Sequence, residues 1–79
     1  MSEKIIVKDL IIAGAGDFGR EVAWLAERIN QSQPTWNILG FVDDAIDSPE
    51  IDGYRVLGNI KWLLQYDRPA YVVCAIGNG

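Results

Sequence analysis

The chain has no histidine and only one cysteine, Cys74, among its 79 residues. Without histidine it can hold neither a Ser-His-Asp or Cys-His centre nor a histidine metal site. One cysteine excludes an internal disulfide and a cysteine-rich metal site. Cys74 lies in a short apolar run with no cluster of bases near it in sequence, so a buried, inert thiol is expected. No apolar run approaches the roughly 18–20 residues that span a bilayer. Met1 to Val7 lack the long apolar segment and cleavage site of a signal peptide, so a cytoplasmic location is expected. Seven basic residues against eleven acidic ones give a net charge of −4, which argues against nucleic-acid and anionic-membrane partners. What remains is 49% hydrophobic and 23% charged, the composition of a soluble globular domain and too apolar for disorder. A chain this short makes one domain with a thin core, burying only about 60–65% of its unfolded surface.

Leu10 to Ala13 is a short apolar run ended by Gly14-Ala15-Gly16-Asp17-Phe18-Gly19, which reads as a buried, parallel strand. Ile5, Ile6 and Val7 can extend it. Phe18, Val22, Leu25, Ala26 and Ile29 then follow helical spacing and predict a helix with that apolar stripe inward, ending near Ile29 or Asn30. Pro34 cannot continue it. Trp36 to Val42 is a second strand. From Asp43 to Asp52 there are five acids and no base, which with Ser48-Pro49 reads as an exposed loop. Tyr54 to Leu57 is extended. Asn59 is an N-cap for a two-turn helix, Ile60 to Gln65, with Ile60, Leu63 and Leu64 inward and Asp67-Arg68-Pro69 as its stop. Ala70 to Ile76 is a third strand. Trp24 and Trp62 fall off the helical stripes, and Tyr54 and Tyr71 read as core or rim. The order is a βαβαβ unit of α/β class: a Rossmann-like, short three-stranded parallel sheet with right-handed crossovers. With the first strand central, the helices cover opposite faces and Gly77-Asn78 comes beside the glycine loop.

Gly14-x-Gly16-x-x-Gly19 follows a strand and opens a helix. The first glycine allows the tight turn, the second lets backbone approach a phosphate, and the third lets helix and strand pack closely. Free helix-start amides attract an anion. A plain strand-to-helix turn would need the same glycines. Asp17 adds negative charge there, unless its side chain caps the helix and points away. Asp43 lies 24 positions past Gly19, at the end of the second strand, where dinucleotide-binding domains keep a ribose-binding acid. A pair, Asp43-Asp44, also suits a base, since a carboxylate can accept the uracil N3 proton. Solvation of an acidic loop is the simpler reading of the pair, and ligand contact by at least one of the two acids is favoured over it. Gly77 sits just past a strand's carboxyl end, where open α/β sheets bind ligands.

Together, Leu10 to Ala23, Gly40-Phe41-Val42-Asp43-Asp44, Ile51 to Gly58 and Ala75-Ile76-Gly77-Asn78 resemble the N-terminal domain of bacterial sugar O-/N-acyltransferases, the PglD/NeuD-like group. The resemblance implies a Rossmann-like domain, residues 1–79, that binds a UDP-sugar rather than NAD. It implies a following left-handed β-helix that trimerises and carries the catalytic histidine and the acetyl-CoA site. That part is absent here, so the chain is expected to be a piece of a longer protein, with its third strand an exposed apolar edge. By the same resemblance Gly14, Gly16, Asp17 and Phe18 belong to the loop that contacts the nucleotide sugar. Asp43 and Asp44 match the acids that hold uracil, and Gly77 matches a backbone contact from the opposite strand. Many members carry Gly-His where this chain has Asp17-Phe18. The expected function is UDP-sugar recognition for acetyl transfer from acetyl-CoA to a sugar amine or hydroxyl. The alternatives are an NAD-binding domain of an oxidoreductase, dehydratase-like enzyme or redox regulator, and a domain that only assembles the enzyme.

Overall fold

A computed structural model describes residues 6–75. In chain order the elements are β1 (Lys8–Ala13), α1 (Asp17–Ser32), β2 (Trp36–Val42), β3 (Glu50–Ile51), β4 (Tyr54–Gly58), α2 (Ile60–Gln65) and β5 (Tyr71–Cys74). They form an α/β fold with one sheet in the order β3-β4-β2-β1-β5. β1 is central, parallel to β2 on one side and to β5 on the other, as the expected crossover order requires.

The central strand is apolar throughout its second half because both of its faces are covered. Leu10 and Ile12 pack on the α1 side with Ala23, Ala26 and Phe41. Ile11 and Ala13 pack on the α2 side with Val42, Leu57, Ile60 and Leu63. Ile11, Ile12, Phe41 and Val42 are 0% exposed. Each fully buried aliphatic side chain of this size contributes roughly 1.5–3 kcal/mol. Among the described residues no helix is long and apolar enough to cross a membrane.

The sheet is larger than the expected three strands. Tyr54 to Gly58 is a strand, β4, paired parallel to β2. The acidic stretch is not all loop, because Glu50–Ile51 pairs antiparallel with β4. Asp52 and Gly53 join these strands with φ of 54° and 84°. Two residues at positive φ make the tight turn whose twist suits a hairpin, and Asp-Gly is a favoured pair for it.

α1 runs to Ser32, past its expected end. Asn30 is accommodated because its side chain ties the helix to β2: Nδ2 donates to the Trp36 carbonyl at 2.7 Å, and Oδ1 accepts from the Thr35 and Trp36 amides at 2.9 and 2.8 Å. The buried face of α1 is Gly19, Ala23 and Ala26, with Val22 half-buried. Phe18, Leu25 and Ile29, expected inward, are 52%, 53% and 48% exposed. Small residues let α1 lie close over β1 and β2. Leu25 and Ile29 are left facing an open cleft over β5, lined also by Tyr71, Val72 and Val73.

Three other expectations fail for related reasons. Leu64 is 80% exposed, while Ile60 and Leu63 pack against the core. Trp62 instead joins the core, stacked on Tyr66 at 5.2 Å. Cys74 is exposed rather than buried, because β5 is an edge strand. Tyr71 sits at the rim, edge-on to Trp36 at 5.6 Å. Trp24 is exposed as expected, under the Arg28 guanidinium at 4.8 Å.

The hairpin is clamped to α1 by two polar contacts. Arg20 Nε donates to Asp52 at 2.7 Å, and the Tyr54 hydroxyl donates to the Glu27 carboxylate. The Arg20–Asp52 pair is exposed and worth about 0–1 kcal/mol. Burial pushes the Tyr54 phenol up to about 12, with the Glu27 hydrogen bond and the charges of Glu27 and Asp52 adding to the rise. A raised value in the folded state means that Tyr54's contribution is fully present below pH 10 and is lost as the pH rises through about 12. In an ultraviolet titration one tyrosine is therefore expected to ionise only near pH 12, together with loosening of the hairpin.

Candidate functional site

The glycine loop sits at the carboxyl end of β1, beside the carboxyl end of β2. Gly14 has a φ of 117°, a conformation that disfavours any side chain, and its amide donates to the Val42 carbonyl at 2.7 Å. That turn lifts the chain out of the sheet and into α1. Gly19 lies under it, buried against the Gly14 carbonyl. Gly16 is the N-cap of α1 and is exposed, with open space where a side chain would be. The first helical bond runs from the Arg20 amide to the Gly16 carbonyl at 3.0 Å. The amides of Asp17, Phe18 and Gly19 therefore precede the ladder, at the positive end of the helix dipole.

Asp17 and Phe18 are both exposed. Asp17 does not cap the helix. It lines a depression on the outer face of α1 with Arg20, Glu21, Trp24 and Asp52, 3.7 Å from the Arg20 guanidinium. Its charge thus lies on a different surface from the Asp43-Asp44 pair.

The two acids are held in different ways. Asp43 is half-buried, and both of its carboxylate oxygens accept backbone amides: Oδ2 from Ala15 at 2.7 Å, and Oδ1 from Ala45 at 2.7 Å. Its own amide donates to the Gly58 carbonyl at 3.0 Å. The Ala15 hydrogen bond, joined by those from Ala45 and Ile46, holds its carboxyl below the usual carboxylate value of 3.8 against the opposing effect of burial. Asp44 is exposed, and Oδ1 accepts from the Ile60 amide at 2.8 Å. Next to it the expected cap forms, with Asn59 Oδ1 accepting from the Trp62 amide at 3.0 Å. Asp43, Asp44, Ala45 and Ile60 line an open cavity of about 330 Å³.

A depressed carboxylate value means stability that is present above the unfolded-state value and lost as the pH falls through the folded one. Asp43 is therefore expected to give the domain an acid transition below pH 3.8. In Asp43→Ala that component should vanish from the pH dependence of urea unfolding.

The fold thus brings Gly14, Ala15 and Gly16 against Asp43, with Asp44 alongside, and turns Asp17 away. Gly77 lies outside the described residues. The strand leading to it does arrive at the site: the Ala75 amide donates to the Ala13 carbonyl at 2.7 Å, and Ala75 is buried. Sequence reasoning missed the backbone partners Ala15, Ala45 and Ile60. Only the last had a signal, the cap at Asn59 that places the start of α2.

Over residues 9–79 the chain matches the family described as the PglD N-terminal domain. It belongs to that family, the N-terminal domain of PglD/NeuD-like acyltransferases. No curated protein and no solved structure matches it significantly. As a PglD N-terminal domain it carries the glycine loop and the acid pair within the matched stretch.

Proposed function

We propose that this domain binds the nucleotide of a UDP-sugar at the carboxyl ends of β1, β2 and β5. Bound there, the sugar would be presented for acetyl transfer in the acyltransferase to which the domain belongs. The observation that carries this reading is the meeting of an open glycine loop with the acid pair. Gly16, Asp17 and Phe18 would supply free amides for the diphosphate, Gly14 makes the turn that presents them, and the family resemblance adds Gly77 to the same site. Asp43 and Asp44 supply the acidic wall for uracil or ribose. Remote binding of this kind holds the acceptor atom in place and converts binding energy into orientation. Acetyl-CoA, the catalytic base and trimer contacts would come from elsewhere in the enzyme, in a cytoplasmic setting.

In the dinucleotide alternative Asp43 would bind ribose hydroxyls with the lone pairs its two amides leave over. Calorimetric titration with UDP, UDP-sugars and NAD separates the readings. Saturable UDP-sugar binding is expected, lost in Asp43→Ala/Asp44→Ala protein shown by circular dichroism to be folded. NAD binding without UDP binding would sink the proposal. Silence toward both ligands would favour a purely assembling domain.

A further inference from the structure

The acid pair has one charge type but two geometries. Asp43 is half-buried with both oxygens on the main chain, one of them on Ala15 at the heart of the glycine loop. Asp44 is exposed, spends one oxygen on the Ile60 amide, and faces the cavity between them. The Ala15 amide would otherwise be an unpaired donor in a residue only 2% exposed. Leaving such a donor unpaired is costly, so the carboxylate has little freedom to let go of it. A ligand at Asp43 would have to share oxygens that already hold two amides, whereas Asp44 keeps one oxygen wholly free.

We propose that Asp43 is a positioning residue: it latches the glycine loop to the end of β2 through the Ala15 amide, and leaves Asp44 as the acid that meets the nucleotide. The division of roles rests on the nucleotide reading above. It has a mechanical sense. β2 and the loop are adjacent but joined in sequence only through α1, so the latch fixes the spacing between the phosphate end and the base end of the site. Gly14, whose amide already holds the Val42 carbonyl, makes the first tie. Asp43 makes the second, one residue further along on each side.

Two substitutions separate the roles. Asp43→Ala leaves the Ala15 and Ala45 amides without their acceptor. Asp44→Asn keeps an oxygen for the Ile60 amide and turns the free acceptor into an NH2 donor. The readout is nuclear magnetic resonance of isotope-labelled protein, with UDP as the probe. It measures the coupling across the hydrogen bond between the Ala15 amide nitrogen and the Asp43 carboxyl carbon, and the exchange rate of the Ala15 amide.

In the unsubstituted protein the coupling is expected both free and UDP-saturated. Asp43→Ala, which removes the acceptor, should speed Ala15 exchange and weaken UDP by about tenfold. Asp44→Asn should weaken UDP comparably while leaving the Ala15 coupling and exchange unchanged. The folded fraction of each variant is checked by circular dichroism. Disappearance of the coupling on UDP saturation overturns the proposal, because Asp43 would then have left Ala15 for the ligand. Undiminished UDP binding by Asp44→Asn overturns it as well. Intact coupling with no UDP binding supports the latch and overturns the nucleotide reading instead. The coupling in unsubstituted protein decides the matter even if a variant fails to fold.

Discussion

Gly19→Ala is expected to destabilise the domain by about 3 kcal/mol or more, at the upper end of the cost of overpacking. A methyl group there would lie 1.8 Å from the Gly14 carbonyl oxygen and 2.8 Å from its carbon. Neither can yield as a flexible side chain would. Gly14 is pinned by its bond to Val42, and the next residue is pinned by Asp43. The helix must lift away from the sheet instead, undoing the packing of Ala23 and Ala26 on β1. Stability for a chain of this size is on the order of 4–12 kcal/mol, so the loss is a large share. Each kcal/mol moves the midpoint by roughly 4–8 °C, so thermal unfolding followed by circular dichroism should shift down by at least about 12 °C. Gly16→Ala is the control. Its side chain would meet nothing within 4 Å, so the stability cost should be about 1 kcal/mol or less, the difference between glycine and alanine at an N-cap. Any larger change in UDP binding by Gly16→Ala then reports the ligand's approach to that backbone. A near-native midpoint for Gly19→Ala would contradict the packing described here.

Phe41→Ala is expected to cost about 3–5 kcal/mol, the usual range for emptying a buried phenylalanine site. Phe41 is 0% exposed, on the α1 side of β2, and its ring meets Tyr54 edge-on at 5.9 Å. The cavity would open between β2 and α1, where the small residues of the helix have nothing with which to fill it. The loss should appear in urea as a lower midpoint. A second readout is specific to this packing. With its neighbour gone, Tyr54 should be wetter and its phenol should ionise below the value of about 12 set by burial and Glu27. A lower midpoint without movement of the tyrosine titration would place the damage elsewhere.

Much of the fold was legible because apolar runs and breakers coincide in this chain. Trp36 to Val42 appeared with its observed bounds, as did Ile60 to Gln65 between Asn59 and the Asp67-Arg68-Pro69 stop. Right-handed crossovers allow two strand orders, and the one with β1 between β2 and β5 is preferred because it brings the end of the third strand beside the glycine loop. The hairpin was obscured by its charge: Glu50 lies in the acidic stretch, and β3 itself is only two residues long. The α1 stripe misled because helical spacing shows which residues share a face, not which neighbour covers it. Leu25 and Ile29 share a face with Val22 but extend over β5. Cys74 misled because its apolar run reads as burial even though its strand lies at the edge of the sheet.

The site was half legible. Strand-end position marked Asp43 and Asp44, and spacing marked the three glycines. The latch could not be read, because its partner is the amide of Ala15, and a backbone amide carries no residue-specific signature.

The most direct measurement of the central claim is a nitrogen–proton correlation spectrum of the protein titrated with UDP. The nucleotide reading predicts saturable shifts of the amides of Gly16, Asp17, Phe18, Ala45 and Ile60, around the carboxyl ends of β1 and β2. The amides of Leu25, Ile29 and Tyr71, on the open cleft, should stay where they are. Shifts confined to that cleft, or loop shifts produced by NAD and not by UDP, would contradict it.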